Sequence, residues 1–364
     1  MNDATLNLKN LDREQLREAL AARGVKAYRG DQVFRWVWRR GAQTVGEMTD
    51  LSKALRERLE TEAGLPRLDP SDERSARDGT TKLLVRLDDG REVESVLIPD
   101  RERRTLCVST QVGCAMGCTF CRTASMGLLR NLEAWEICEQ VLIAERILLA
   151  RGDTRSFQVG RGEGGKVNRR LTNLVFMGMG EPLHNLEATV TACRILTDVN
   201  GLAFPESRIT VSTVGLADRI APFLAQTNVQ LAVSLNAPDD EIRSRIMPVN
   251  RKFDMDELLK VVRELPLTGR RRVTFEYVLL AGENDSPAQA RQLARRLAGV
   301  AEKIKINLIP YNPHEGAAFR RPTDAAVESF MELLMDHGIE KVMVRRPRGD
   351  QILAACGQLA LEKS

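Results

Sequence analysis

Apolar residues recur at helical spacing in Leu11 to Leu20, Gln32 to Trp38 and Leu51 to Leu59, so the first seventy residues predict a small helical module. Asp12 and Asp50 stand before the first and last of these as candidate caps. From Thr81 to Pro99 the period drops to two: TKLLVRL and REVESVLIP flank an Asp-Asp-Gly turn, which predicts a β-hairpin. Glu92 and Glu94 share one face of its second run, opposite Val93. That spacing fits exposed strand charge or a carboxylate aimed into a site.

Beyond Leu106 the pattern alternates. Leu106 to Ser109, Asn173 to Met177, Arg208 to Ser212, Gln230 to Leu235, Arg272 to Leu280 and Lys305 to Ile309 read as strands. Glu133 to Ala150, Leu186 to Asp198, Met255 to Leu265 and Ser286 to Leu297 read as helices between them. The alternation predicts an α/β protein with a parallel sheet covered by helices, either open or curled into a partial barrel. In such barrels the chemistry gathers on loops at the C-terminal ends of the strands. Arg151 to Arg170 interrupts the rhythm; rich in glycine and basic residues and without either period, it reads as a flexible inserted loop.

A length of 364 residues suits one large domain with one or two small ones. With 43% hydrophobic and 29% charged residues the chain has the material for a core and is not disordered. No apolar run approaches the roughly 18 residues of a membrane helix, and the N-terminus lacks a secretory pattern. A cytoplasmic location and no membrane partner are therefore expected. A net charge of +4 is too mild to define a nucleic-acid binder. Local arginines say more: Arg101, Arg103 and Arg104, then Arg270 to Arg272, then Arg345, Arg346 and Arg348. In FRWVWRR, Trp36 and Trp38 alternate with Arg35, Arg39 and Arg40, a mixture suited to RNA or, at this spacing, to a helix core.

Seven cysteines are too few and too uneven for a disulfide scaffold. Cys138 and Cys193 fall at apolar helix positions and read as core thiols. Cys114, Cys118 and Cys121 are spaced C-x3-C-x2-C in QVGCAMGCTFCRT, in the loop after the first strand of the alternating region. Structural zinc takes four ligands in paired short spacings, and no second CxxC is present. Three thiolates suit a [4Fe-4S] cluster with one open iron. The motif and its place in a βα repeat resemble the radical S-adenosylmethionine (radical SAM) superfamily, where the open iron chelates S-adenosylmethionine.

The likeness extends further. CVSTQVGCAMGCTFC, MGMGEP, SLNAPDDEIR, MPVN and RGDQILAACGQL together resemble the RlmN RNA methyltransferases, with Cfr-type enzymes as close relatives. The resemblance covers nearly the whole chain. It implies a partial (β/α)6 TIM-like radical SAM barrel over 101–345, a helical RNA-binding accessory domain over 1–70, a hairpin extension over 71–100 and a C-terminal catalytic segment over 346–364. It implies methylation of C2 of an adenosine in large-subunit ribosomal RNA and, for some members, of the adenosine beside the anticodon of tRNA. Two S-adenosylmethionine molecules are used per turnover, and an electron-donor protein feeds the cluster. By the same resemblance one molecule methylates Cys356, and the second yields a 5′-deoxyadenosyl radical that activates the S-methyl group for addition to C2. Glu94 then removes the C2 proton, and Cys107 attacks the Cys356 sulfur to release product and leave a disulfide. Gly180, Glu181, Ser212, Ser234, Leu235, Asn236 and Asn312 match the family's S-adenosylmethionine contacts. Asn236 departs from the histidine many members carry, though asparagine offers both a donor and an acceptor. Competing expectations are a Cfr-like C8 methyltransferase, a non-catalytic iron–sulfur RNA-binding factor and a zinc protein.

Overall fold

Asp12 starts the first helix of the computed structural model, which describes residues 5–153, 156–162, 165–267, 269, 271–314, 316–345 and 348–360. Its carboxylate accepts the Gln15 N–H, and the Gln15 side chain accepts the Asp12 N–H, both at 2.9 Å. This reciprocal capping box fixes where α1 (Arg13–Ala21) begins. Next, α2 (Ala27–Phe34) runs into a π-helical stretch, Arg35–Arg40, ended by Gly41 at φ 69°. The widened turn buries Trp38 completely and leaves Trp36 at the edge, where its Nε1 donates to Asp50 at 2.6 Å beneath the Arg40 guanidinium. Trp38 is therefore core. Asp50 is not the cap expected of it: Ser52 caps α3 (Lys53–Glu62), because that helix begins two residues later. A short parallel pair, β1 (Leu6–Asn7) with β2 (Ala63–Gly64), closes the module.

The helical module is clamped to the rest of the chain. Lys9 pairs with Glu139 of α4 (Ala134–Ala150) at 2.9 Å with both side chains buried, and Arg13 pairs with Asp198 just beyond α5 (Leu186–Thr197) at 2.8 Å. Removing one partner of the buried pair would strand a charge, so the module's seating is strongly specified.

Three antiparallel strands follow: β3 (Pro70–Ser75), β4 (Thr81–Arg86) and β5 (Glu92–Asp100). The predicted hairpin is β4–β5, turned at Gly90 with φ 80°. β6 (Arg103–Cys107) pairs antiparallel with β5, Cys107 opposite Val96. β7 (Gln111–Gly113) and β8 (Leu128–Asn131) frame the three-cysteine loop. The glycine-rich insertion is not an unstructured loop. Phe157–Gly162 (β9) and Gly165–Arg169 (β10) pair antiparallel, and Arg169 anchors the pair by donating to the carbonyls of Trp38 and Leu202. Glycine masks the strand period there.

β11 (Asn173–Phe176), β12 (Ile209–Thr213), β13 (Gln230–Ser234), β14 (Val273–Leu279), β15 (Ile304–Pro310) and β16 (Val342–Val344) continue from β6 in parallel. Helices α6 (Ala217–Leu224), α7 (Asp240–Ile246), α8 (Met255–Glu264), α9 (Pro287–Leu297) and α10 (Asp324–Asp336) fill the connections. Among the described residues the largest sheet has ten strands in the order β16-β15-β14-β13-β12-β11-β6-β5-β4-β3, so the hairpin extends the barrel sheet itself. Strand side chains alternate between faces. Ser95 donates to Gln140 of α4 at 2.6 Å, which makes its face the helix-covered one. Glu94, Val96 and, through register, Cys107 point to the opposite, inner face. Cys138 and Cys193 are buried on α4 and α5 as core thiols. No helix among the described residues is long and apolar enough to cross a membrane.

Candidate active site

The three-cysteine loop is shaped by close backbone approach. At Gly113, φ 76°, an added Cβ would lie 1.8 Å from the Gly127 carbonyl oxygen, so no other residue fits. The Cys114 N–H donates to that same carbonyl at 2.9 Å, and the Cys121 N–H to the Cys118 carbonyl at 3.1 Å. Cys114 and Cys118 are buried, and Cys121 is half-buried. Burial pushes the Cys114 thiol up to about 12 and Cys118 well above the ordinary value, and the neighbouring thiols and Glu181 reinforce both shifts. Mutually opposed thiols are the donor set that soft metal centres draw on. Among the described residues no three His, Cys, Asp or Glu side chains converge closely enough for a single ion. Three free thiols on one loop, two of them buried, are a donor set that fits an iron–sulfur cluster held by three cysteines.

MGMGEP follows β11 and leans on the segment between β6 and β7. A Cβ on Gly178 would meet Val108 and Ser109 at 2.6–2.8 Å, and one on Gly180, φ 102°, would meet Gln111 at 2.5–2.8 Å. These glycines thus admit the chain's own backbone. Glu181 is buried, accepting from the N–H groups of Leu183 at 3.0 Å and Val214 at 2.8 Å. Burial raises it to about 7 against the opposing pull of those donors. Ser212 and Ser234 lie half-buried on the inner face, followed by fully buried Leu235. Asn236 closes β13 at φ 59°, a conformation asparagine tolerates better than most residues. Its Oδ1 accepts the Val278 N–H at 2.8 Å and its Nδ2 donates to the Met247 sulfur at 3.2 Å. Asn312 is buried after β15.

Arg243 of α7 escaped sequence reasoning. Fully buried, it donates to the carbonyls of Val214 at 2.7 Å, Leu235 at 3.0 Å, Ser234 at 3.2 Å and Phe253 at 3.4 Å, and to Asn250 Oδ1 at 2.7 Å. One guanidinium so ties the ends of β12 and β13 together. Its charge also favours the Cys118 thiolate.

Cys356 sits in a turn held from two sides. Gln358 accepts the Ala355 N–H at 3.1 Å and donates to the Pro313 carbonyl at 2.8 Å, while the Gly357 carbonyl accepts the Arg122 N–H at 2.8 Å. Cys356 keeps open surface. Burial raises its thiol, Arg345 opposes the rise, and Glu276 and Cys121 add to it. The Cys107 thiol is raised by burial and then by Cys356. Cys107 lies on β6 and Glu276 on β14, four strand spacings or about 19 Å apart on a flat sheet. A thiol that feels both requires the sheet to curl around it. All seven cysteines are free.

Glu94 lies on the same inner sheet face as Cys107. Its Oε1 pairs with Lys82 Nζ at 3.0 Å with both side chains buried, while Oε2 is buried without a hydrogen-bond partner among the described residues. Burial raises its pKa, and Lys82, the Ala360 amide and Arg122 pull it back. Glu92 instead lies near the surface, paired with Arg86 and Ser71. The predicted arginine clusters divide as well: Arg104 is buried against Asp153, Arg271 and Arg272 hold backbone carbonyls, and Arg348 pairs with Asp100. Arg270 and Arg346 lie outside the described residues.

Comparison with known proteins identifies the family. Residues 108–294 match the radical SAM superfamily, and residues 6–65 match the ribosomal RNA large subunit methyltransferase N-terminal domain. The crystal structure of a radical SAM methyltransferase from Sphaerobacter thermophilus superposes with a TM-score of 0.84 at 45% identity, covering 97% of this chain and 99% of the other. Fold and site thus define a radical SAM methyltransferase, an enzyme class that uses a [4Fe-4S] cluster and S-adenosylmethionine. The dual-specificity RNA methyltransferase RlmN of Anaeromyxobacter dehalogenans (strain 2CP-C) is 48% identical over 100% of this chain and 94% of its own length. That of Geobacter sulfurreducens (strain ATCC 51573 / DSM 12127 / PCA) is 45% identical over 98% and 92%. The chain belongs to the RlmN family of RNA methyltransferases.

Proposed function

We propose that the enzyme methylates C2 of an adenosine in large-subunit ribosomal RNA, and the adenosine beside the anticodon in tRNA, with Cys356 as methyl carrier. The observations that support this reading are that Cys107 and Cys356, far apart in sequence, lie close enough for one thiol to raise the other, that Cys356 also senses Cys121 of the cysteine loop, and that Glu94 shares the inner sheet face with Cys107. The same reading keeps the division into 1–70, 71–100, 101–345 and 346–364, a cytoplasmic location and an electron-donor protein as partner.

Cys114, Cys118 and Cys121 would hold the cluster, and Gly180, Glu181, Ser212, Ser234, Leu235, Asn236 and Asn312 the S-adenosylmethionine. Bound together, cluster and S-adenosylmethionine supply the methyl group and the radical that activates it. The rest falls to the chain. Cys356, which keeps open surface, takes the methyl group and presents it to the RNA base. Glu94 Oε2, buried without a hydrogen-bond partner among the described residues, accepts the C2 proton. Cys107 attacks the Cys356 sulfur: an S–S bond forms as the bond from sulfur to the methylene on C2 breaks, the electron pair stays with that carbon, which takes up a proton to become the methyl group, and an external thiol reductant resets the pair. Adenosine in a loop is the expected target, since extruding it costs a few kcal/mol less than from a duplex. Mass spectrometry of ribosomal RNA fragments and tRNA treated with reconstituted enzyme tests the reading. It expects 2-methyladenosine; 8-methyladenosine or unmodified RNA overturns it.

A further inference from the structure

Lys82 is a buried charge that the reaction scheme leaves unused. It lies on β4 between Thr81 and Leu83, and its ammonium points into the barrel rather than to solvent. An isolated ammonium there would cost several kcal/mol, so its position is held by a partner. That partner is one oxygen of one residue, Glu94 Oε1 at 3.0 Å. Strand register sets up the pairing: Leu84 stands opposite Glu94 and Lys82 opposite Val96, so Lys82 reaches Glu94 diagonally across the inner face. The other oxygen, Oε2, is buried without a hydrogen-bond partner among the described residues.

We propose that Lys82 is a positioning residue for proton abstraction: its ammonium holds Glu94 as a carboxylate and pins Oε1, leaving Oε2 as the acceptor. This rests on the reading of Glu94 as base. In the step itself the proton moves from C2 of the adduct to Oε2, the electron pair of the C–H bond stays on the adenine to restore its aromatic ring, and the adduct's unpaired electron would pass to the oxidised iron–sulfur cluster that the radical chemistry leaves as acceptor. Buried as it is, Glu94 would favour its neutral form, which cannot accept that proton. The charged and polar groups facing the pair are Lys82 from β4, Asp72 from β3 on the lysine side, Arg122 from the cysteine loop and the Ala360 amide from the C-terminal segment. Lys82 is the strongest of those that favour the Glu94 carboxylate.

The test uses reconstituted Cys107→Ala enzyme, in which the protein–RNA adduct should persist, and an RNA fragment carrying deuterium at the target C2. Mass spectrometry of the adduct reports whether Glu94 has acted. The parent adduct should have lost its deuterium from about pH 6 to about pH 9. An opposite charge at this distance is worth roughly one to three pKa units, so adding Lys82→Met should retain deuterium at least tenfold more at the acidic end and lose it as pH rises. Lys82→Arg, which keeps the charge, should follow the parent. A Lys82→Met profile matching the parent, or a Lys82→Arg profile displaced like that of methionine, overturns the role of Lys82 while leaving Glu94 in place. Loss of deuterium in Glu94→Gln would instead overturn the reading of Glu94 itself.

Discussion

The backbone N–H of Arg122 donates to the carbonyl of Gly357 at 2.8 Å, joining the residue after Cys121 to the residue after Cys356. Together with the Thr123 hydroxyl, which donates to the Leu359 carbonyl, that bond registers the C-terminal turn against the cysteine loop, although the two lie at opposite ends of the barrel sequence. On the proposed reading, where Cys356 delivers its methyl group is set by these contacts with the cysteine loop.

Gln358 secures the other side of the turn, and its loss should disconnect methyl loading from cluster assembly. Gln358→Ala removes the bond to Pro313 and frees the Ala355 N–H. An unsatisfied buried group costs about 1–3 kcal/mol, so S-methylation of Cys356 should fall roughly tenfold. Intact-protein mass spectrometry with iron analysis checks this. Undiminished methylation at normal iron content would show that the turn holds without its glutamine.

Resolution of the adduct should speed up with pH. Burial raises the Cys107 thiol, so at neutral pH only a small thiolate fraction is present. That fraction grows about tenfold per pH unit below the pKa, and the thiolate is the attacking species. Product release from preformed adduct should accelerate accordingly between about pH 7 and about pH 9, and Cys107→Ala should abolish it. Quenched-flow measurement of released RNA decides; a flat profile would place another step in control.

Glu181 makes an opposite demand on stability. Its folded pKa of about 7 exceeds the unfolded value of about 4.3, so the folded state binds the proton more tightly. The stability from that proton is complete below about pH 4 and is lost as pH rises toward 7, amounting to about 3 kcal/mol. Glu181→Gln does not titrate. The difference between wild type and variant in urea unfolding of the cluster-free protein should therefore tilt by about 3 kcal/mol against the wild type from about pH 4 to about pH 8. A difference independent of pH would contradict the assignment.

What could be read in the sequence followed physical range. The E-V-E alternation placed Glu94 on a defined face, but its partner depends on strand register, so Lys82 stayed invisible within TKLLVRL. β3, PSDERS, has no apolar alternation because it is an edge strand with exposed residues. The need for glycine in MGMGEP was evident, but what approaches it was not: its neighbours are Val108, Ser109 and Gln111, about seventy residues earlier. Cysteine spacing, by contrast, is local, and the loop that presents those residues closes on itself through Gly113 and Gly127.

Arg243 read as one more charge in DDEIRSR, yet it is the tie between β12 and β13. Arg243→Leu leaves the carbonyls of Val214, Ser234 and Leu235 without their donor, at a cost of roughly 3 kcal/mol or more. Lysine cannot replace the planar fork that serves those separate acceptors, so Arg243→Lys should recover little of the loss. Because Ser234 and Leu235 are two of those acceptors and are proposed S-adenosylmethionine contacts, affinity for that ligand should drop about tenfold in Arg243→Lys while iron is retained, if misplacing the strand end costs near 1.4 kcal/mol. Urea unfolding and equilibrium dialysis with labelled S-adenosylmethionine measure the two effects separately. Wild-type affinity in a destabilised Arg243→Lys enzyme would confine this arginine to holding the fold.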